Sequence, residues 1–298
     1  RCVIISTISM KVIDKLKSGK PTLSFEFFPP RDEAQEQQLY RVLSQLKEFQ
    51  PDFTSVTYGA LGTTREKTFR WVKEIKEKYK LEPVAHLTCV AATKVSILSQ
   101  LDELESMGVE NILALRGDPP EGQADFTPPP DGFKYAKDLV AFIKKYKPGF
   151  CLGVAGFPEG HPKAPSLAKD IDYLKEKIEA GGEYVITQLF FDNQHYFNFK
   201  ERCLRAGIKI PLIPGVMPIV SLKQIRKMTE ICGATIPPEL LKKLEKNKDD
   251  KKAIEKLGVD YALSQCRDLI KRGVPGLHFF VMNQSGPISK ILQNLSLE

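Results

Sequence analysis

Apolar residues in this chain arrive in short β-rich runs, each followed by a longer stretch in which apolar positions recur at helical spacing. The runs fall at residues 22–28, 53–58, 83–89, 111–115, 151–157, 184–191, 211–216 and 277–282. Amphipathic patterns occupy residues 33–49, 64–80, 94–107, 135–146, 166–180, 194–206 and 222–232. A charged helical stretch at 238–272 precedes the last run, and a final short helix starts near Pro287. Gly108, Gly181, Gly207 and Gly273 stand at helix-to-strand joints, where a left-handed cap is expected.

Strands that are nearly all apolar and alternate with helices indicate a parallel sheet covered by helices. Eight of them favour a single (β/α)8 TIM-type barrel over residues 10–298, with a helical insertion before the last strand. A doubly wound sheet is the alternative. That fold normally holds a dinucleotide on a Gly-rich turn after its first strand, but the turn here is Phe28-Pro29-Pro30-Arg31, and no GxGxxG or GxxxxGK[ST] occurs. Residues 1–9 are weakly apolar, too short for a secretory signal, and expected to be a disordered extension. The proline-rich connection at 114–135 has the look of an active-site lid.

Composition narrows the function classes. Hydrophobic residues make up 42% and charged residues 27%, and no apolar run approaches the roughly 20 residues that span a bilayer. The formal charge of +7 suits an anionic small molecule, and no basic stripe interleaved with aromatics argues for nucleic acid. The six cysteines are far apart with no CxxC pair, which reads as free thiols and a cytoplasmic location.

Glu26 is the least ordinary charge, set among Phe25, Phe27 and Phe28. A buried carboxylate either finds a partner or takes up a proton, and a protonated carboxyl near neutral pH is what general acid catalysis uses. The plainer reading is a strand with one solvent-facing Glu. In a (β/α)8 barrel the active site lies at the carboxyl ends of the strands. There the sequence places Glu26; Thr57 and Tyr58; His86 and Thr88; Arg116 and Asp118; Glu159 and His161; Gln188 and Asp192; and Asn283 and Gln284. Singly, His86 reads as a core histidine and Arg116-Gly117-Asp118 as a turn; their joint occurrence at one end favours a site. Glu159, His161 and His86 lack the spacing of a metal cluster, so no metal is expected, and no Ser-His-Asp arrangement supports hydrolysis.

The segments SFEFFPPR (24–31), SVTYG (55–59), HLTC (86–89), ALRGD (114–118), PEGHP (158–162), ITQLFFD (186–192), IPGVM (213–217) and HFFVMN (278–283) resemble, in order, the motifs of the methylenetetrahydrofolate reductase family in its bacterial, catalytic-domain-only form. The resemblance implies non-covalent FAD, NADH or NADPH as co-substrate, and ping-pong reduction of 5,10-methylenetetrahydrofolate to 5-methyltetrahydrofolate. It makes Glu26 the general acid at folate N5, with a pKa raised by its Phe-rich setting, and Asp118 a catalytic charge beside flavin and pterin. It assigns Thr57, Tyr58, Ala60, His86, Arg116, Gly117, Asp118, Tyr135, Ala136, His161, Asp170 and Lys177 to FAD, with Lys177 suited to the pyrophosphate. Gln188, Gln224 and Gln284 fall at folate contacts. The chain departs from the family at Gln284, where an arginine is usual, at Phe157, and at Tyr173 and Glu176 near the flavin. A homo-oligomer is expected. The alternatives are a reductase-like subunit that takes electrons from a redox partner, and a flavin-free pterin-binding transferase.

Overall fold

The structure, a computed structural model, describes residues 11–57, 65–118 and 125–297. Its strands are β1 (Thr22–Phe27), β2 (Phe53–Val56), β3 (Pro83–Thr88), β4 (Asn111–Leu115), β5 (Cys151–Gly156), β6 (Tyr184–Leu189), β7 (Leu212–Val216) and β8 (Gly276–Phe280). All pair in parallel with their sequence neighbours, and β8 returns to β1, so the barrel is closed. The doubly wound alternative is thereby ruled out. Residues 1–9, Tyr58 and Ala60 lie outside the described residues.

Side chains alternate across each strand. Leu23, Phe25 and Phe27 belong to the large core between strands and helices, together with Leu39, Val42 and Leu43. Ser24 and Glu26 therefore take the other face, inside the barrel. The ring of helices consists of α2 (Glu33–Lys47), α3 (Arg65–Glu77), α4 (Lys94–Ser106), α5 (Ala136–Tyr146), α6 (Leu167–Glu179) and α7 (Asn193–Arg205), continued by α10 (Lys251–Lys271) and α11 (Ser285–Leu292). Side-chain caps from Asp32, Thr93, Ser166 and Asp192 start α2, α4, α6 and α7, each stabilising its helix by about 1 kcal/mol. Asp192, a candidate from its place after a strand, is thus a helix cap.

The short helix α1 (Val12–Leu16) plugs the amino-terminal end of the barrel. Val12, Ile13 and Leu16 pack with Phe53, Val84 and Tyr184 inside it. The Val12 N–H donates to Asn111 Oδ1 at 2.8 Å, and Asn111 Nδ2 donates to Glu82 at 2.8 Å. That end is closed to ligands, which leaves the carboxyl ends as the open mouth.

The insertion differs from the expected one. Residues 238–272 form two helices, α9 (Pro238–Lys246) and α10, and α10 takes the ring position between α7 and α11. It approaches so closely that a Cβ on Gly258 would meet Ile219 O at 1.8 Å. The extra elements after β7 are α8 (Leu222–Cys232) and α9. Periodicity could not separate them, because all three helices are amphipathic; contact with the barrel decides which one closes the ring. The end of the 114–135 connection is tied to the barrel, where Phe133 is buried against Phe142 and Lys94 N–H donates to Asp131 O at 3.3 Å, while residues 119–124 of the expected lid lie outside the described residues. Among the described residues, no helix is long and apolar enough to cross a membrane.

Candidate active site

Four neighbouring strands converge on one carboxylate oxygen. Ser55 Oγ of β2 donates to Glu26 Oε2 at 3.4 Å, while His278 Nε2 of β8 and His86 Nε2 of β3 each lie 3.5 Å from it. Glu26 is only 7% exposed, and His86 and His278 are buried. Behind His278, Ser24 Oγ lies 2.9 Å from Nδ1, and the Phe53 ring stacks on the imidazole with centroids 6.2 Å apart. Ser24, Ser55 and His278 were not singled out from sequence. The signal was present in the period-two spacing of Ser24 and Glu26 and in the His278-Phe279-Phe280 run, but only barrel closure pairs Ser24 with His278.

The electrostatics correct one expectation. Burial raises the Glu26 pKa, but the hydrogen bond from His278, the charges of His86 and His278, and the Ser55 hydroxyl outweigh it and hold the carboxyl below the usual glutamate range. The flanking phenylalanines do not desolvate it in the way the octapeptide implied, because Phe25 and Phe27 face the helices. His86 is pushed down to about 4, mainly by burial and further by His278, with Glu26 opposing, and its Nε2 makes no hydrogen bond. Near neutral pH the centre is an ionised carboxylate beside a neutral His86.

The rim beside β4 and β5 is cationic. Lys177 Nζ is buried and donates to Ala155 O at 2.6 Å; burial lowers its pKa to about 8, against the pull of Asp170. Burial also raises Asp170, while Lys177 and the backbone N–H of His161 lower it. Burial first, then the charges of Lys177, Arg116 and Lys163, depress His161. Its Nδ1 accepts from Lys163 N–H at 3.0 Å, so the neutral ring carries its hydrogen on Nε2. Arg116 pairs with Asp125, and its guanidinium lies 4.5 Å from the Phe126 ring centroid. These cations fit a diphosphate group. Glu176 does not oppose that fit, since it reaches to Lys137 at 2.8 Å, and Tyr173 is exposed. Phe157 packs edge-on against His161.

Gly117 has a φ of +83, which a residue with a Cβ adopts only under strain, and such a Cβ would crowd Val90 at 2.8 Å. Asp118 follows it on the exposed rim. Thr57 is tied to the mouth by N–H donation to Phe27 O at 2.9 Å. Tyr135 is exposed at the start of α5, directly before Ala136. Gln188 turns its Oε1 onto Leu189 N–H at 2.9 Å beside a register shift in β6, which leaves its NH₂ group available. Gln224 and Gln284 line one cleft with Met217, Ile219 and Phe280, and among the described residues no charged side chain lines that cleft. Thr88 is buried at the end of β3. Asn283 is a clamp: it accepts from Phe28 N–H at 3.0 Å and donates to Phe28 O at 2.8 Å, holding the turn after Glu26. Glu159 accepts the Thr235 hydroxyl at 2.6 Å.

The fold and this mouth define a (β/α)8 barrel of the enzyme type, with a buried carboxylate–histidine centre next to a cationic rim at the carboxyl ends of the strands. A family model described as methylenetetrahydrofolate reductase matches residues 11–296, and the chain belongs to that family. Methylenetetrahydrofolate reductase (NADH) 1 of Arabidopsis thaliana is 37% identical over 97% of this chain and 51% of that protein. The 5,10-methylenetetrahydrofolate reductase of Escherichia coli is 36% identical over 90% of this chain and 88% of its own length. The chain thus spans about half the length of the plant relative and most of the bacterial one. Among solved structures, an uncharacterized protein from Clostridium thermocellum that binds two copies of 5-methyl-5,6,7,8-tetrahydrofolic acid superposes with a TM-score of 0.59 at 17% identity. That match covers 94% of this chain and 95% of that one, and it speaks for the fold.

Proposed function

We propose that this chain reduces 5,10-methylenetetrahydrofolate to 5-methyltetrahydrofolate in a ping-pong reaction, with FAD as cofactor and NADH or NADPH as reductant. The observation that carries the proposal is the convergence of Ser55, His86 and His278 on Glu26, in a chain of this family.

Lys177, Arg116 and His161 would hold the diphosphate of FAD, with Gly117 and Thr57 on the neighbouring rim and Tyr135, Ala136 and Asp170 completing the β4 to β5 side. When bound, FAD carries two electrons from the nicotinamide to the folate. Glu26 starts ionised. Substrate seated over the mouth removes the remaining water from its carboxyl, which strengthens the effect of burial and raises its pKa. The carboxyl then takes up a proton and delivers it not to N5, as the resemblance implied, but to folate N10, the nitrogen released when the methylene–N10 bond breaks and N5 becomes the iminium nitrogen. Ser55 and His278 keep the carboxyl oriented throughout. The charge of Asp118 favours the cationic iminium form of the substrate, and the Gln188 amide pairs with the pterin edge. Gln284 offers a neutral amide where the family commonly supplies an arginine, and Gln224 lies in the same cleft, so among the described residues the tail of the folate meets no charge there.

The test is Glu26→Gln in stopped flow. NADH should still bleach the bound flavin, while folate reduction falls by about 10²- to 10⁴-fold. Folate reduction at the wild-type rate would remove Glu26 from the proposal. A colourless purified protein that binds folate would favour the flavin-free transferase.

A further inference from the structure

Another largely covered carboxylate, Glu159, lies in the loop between β5 and α6, and it joins two parts of the mouth. Its side chain is only 10% exposed. Its two oxygens accept the Thr235 N–H at 3.1 Å each, and Oε2 also accepts the Thr235 hydroxyl at 2.6 Å. His195 Nε2 of α7 lies 3.4 Å from the same oxygen. Thr235 belongs to the link between α8 and α9, the elements that the barrel itself does not require. The same loop is gripped again one residue earlier, where Arg202 Nη2 donates to Pro158 O at 2.7 Å. A third contact closes the seam: Gly233 ends α8 in the left-handed region, where a Cβ would lie 3.0 Å from Pro162.

Helix α8 therefore lies across the mouth. One end carries Gln224 in the cleft beside β7 and β8, and the other abuts the β5–α6 loop that carries His161. Ile225 is the one fully buried residue of α8, and Leu222, Met228 and Cys232 pack half-buried against the same cluster, so a modest apolar face and the contacts of Glu159 together hold the helix. A carboxylate that receives two donors from one residue is a strong local anchor, because hydrogen bonds to an ionised group are roughly twice as strong as neutral ones.

We infer that Glu159 is a positioning residue, a latch that makes the cofactor-side loop of His161 and the substrate-side helix of Gln224 one rigid unit. This rests on the reading of the site as one that takes FAD and folate. Removing the carboxylate frees both segments together, so flavin and folate affinity weaken together while hydride transfer in the loaded protein does not change.

The test compares wild type with Glu159→Ala, Glu159→Gln and Thr235→Val. Amide exchange on the flavin-free protein should accelerate in both 157–163 and 222–235 for Glu159→Ala. Glu159→Gln, which keeps one acceptor for the Thr235 N–H, should restore most of the protection. In the flavin-loaded protein Glu159→Ala should raise the flavin dissociation constant and the folate KM by about tenfold each, the loss of roughly one such bond. The rate of flavin reduction by NADH should stay within about twofold, the size of a background change. Thr235→Val should show a smaller change of the same pattern. Faster exchange in one segment only, or unchanged flavin and folate affinity despite faster exchange in both, would overturn the latch. If wild type takes up no flavin, the functional reading fails, and the exchange measurement still decides whether the two segments are coupled.

Discussion

Replacing His278 with phenylalanine isolates what holds the Glu26 carboxylate ionised. An aromatic replacement keeps the ring contacts, because His278 stacks against Phe53 and sits edge-on to Phe280, while Ser24 must give way where Nδ1 now lies 2.9 Å from its hydroxyl. Ser24 keeps a partner in Leu277 O at 3.2 Å, so the change removes mainly the Nε2 contact to Glu26. A hydrogen bond to an ionised buried group contributes about 1.5–3 kcal/mol. Wild-type Glu26 is held below its ordinary range, so its contribution is complete above that range and is lost as pH falls through its folded value. In the variant, burial has less to oppose it and the carboxyl pKa rises. The stability gap between wild type and His278→Phe should therefore be about 1.5–3 kcal/mol at pH 7 and shrink at acid pH, as pH falls through the wild-type carboxyl's folded value below the ordinary glutamate range. Urea unfolding at both pH values, in the wild-type and Glu26→Gln backgrounds, separates this from packing. His86 feels both Glu26 and His278, so its share is read from the same set of measurements in a His86→Gln background. A gap that persists at low pH, or in the Glu26→Gln background, would refute the assignment.

Two further outcomes follow from groups with large shifts. His86 is held neutral down to about pH 4, so the unfolded chain binds a proton that the folded one refuses between about pH 6.5 and 4. Wild-type stability should fall across that window by up to about 3 kcal/mol, and His86→Gln should flatten the urea midpoint there; an unchanged acid limb would show that His86 is protonated in the fold. Lys177 is likewise held to about 8 by burial, so its ammonium costs stability at neutral pH. Lys177→Met should leave the melting temperature of the flavin-free protein unchanged or higher while flavin retention, read from visible absorbance, drops about tenfold or more. A large loss of thermal stability with flavin retained would reverse that assignment.

Much of the fold was legible because its signals are local. Strand runs alternate with capped amphipathic helices, and Gly108, Gly181, Gly207 and Gly273 at the joints all take positive φ. The rim candidates His86, Arg116 and His161 stood out because charged and polar groups at strand ends are conspicuous against apolar runs, whereas Lys177, on α6, came only with the family resemblance. Most misses came from contacts distant in sequence, the cap that Asp192 gives Gln194 two residues on being the exception. Asp192 and Asn283 looked like site residues by position, yet one caps α7 and the other clamps Phe28. The ring place of α10 depends on Gly258 meeting Ile219, which no periodicity announces.

The chain by itself determined that eight strands would alternate with helices and that Glu26 would stand where a barrel has its mouth, since period, capping and apolar runs are properties of neighbouring residues. Only the tertiary structure decided the state of that carboxylate. Closing β8 onto β1 brings His278 from 252 residues away to 3.5 Å. Alternation sends Phe25 and Phe27 to the other face, so polar partners rather than phenylalanines surround the charge. A carboxyl pKa is set by what lies within a few ångströms of it, and here almost none of that lies nearby in sequence.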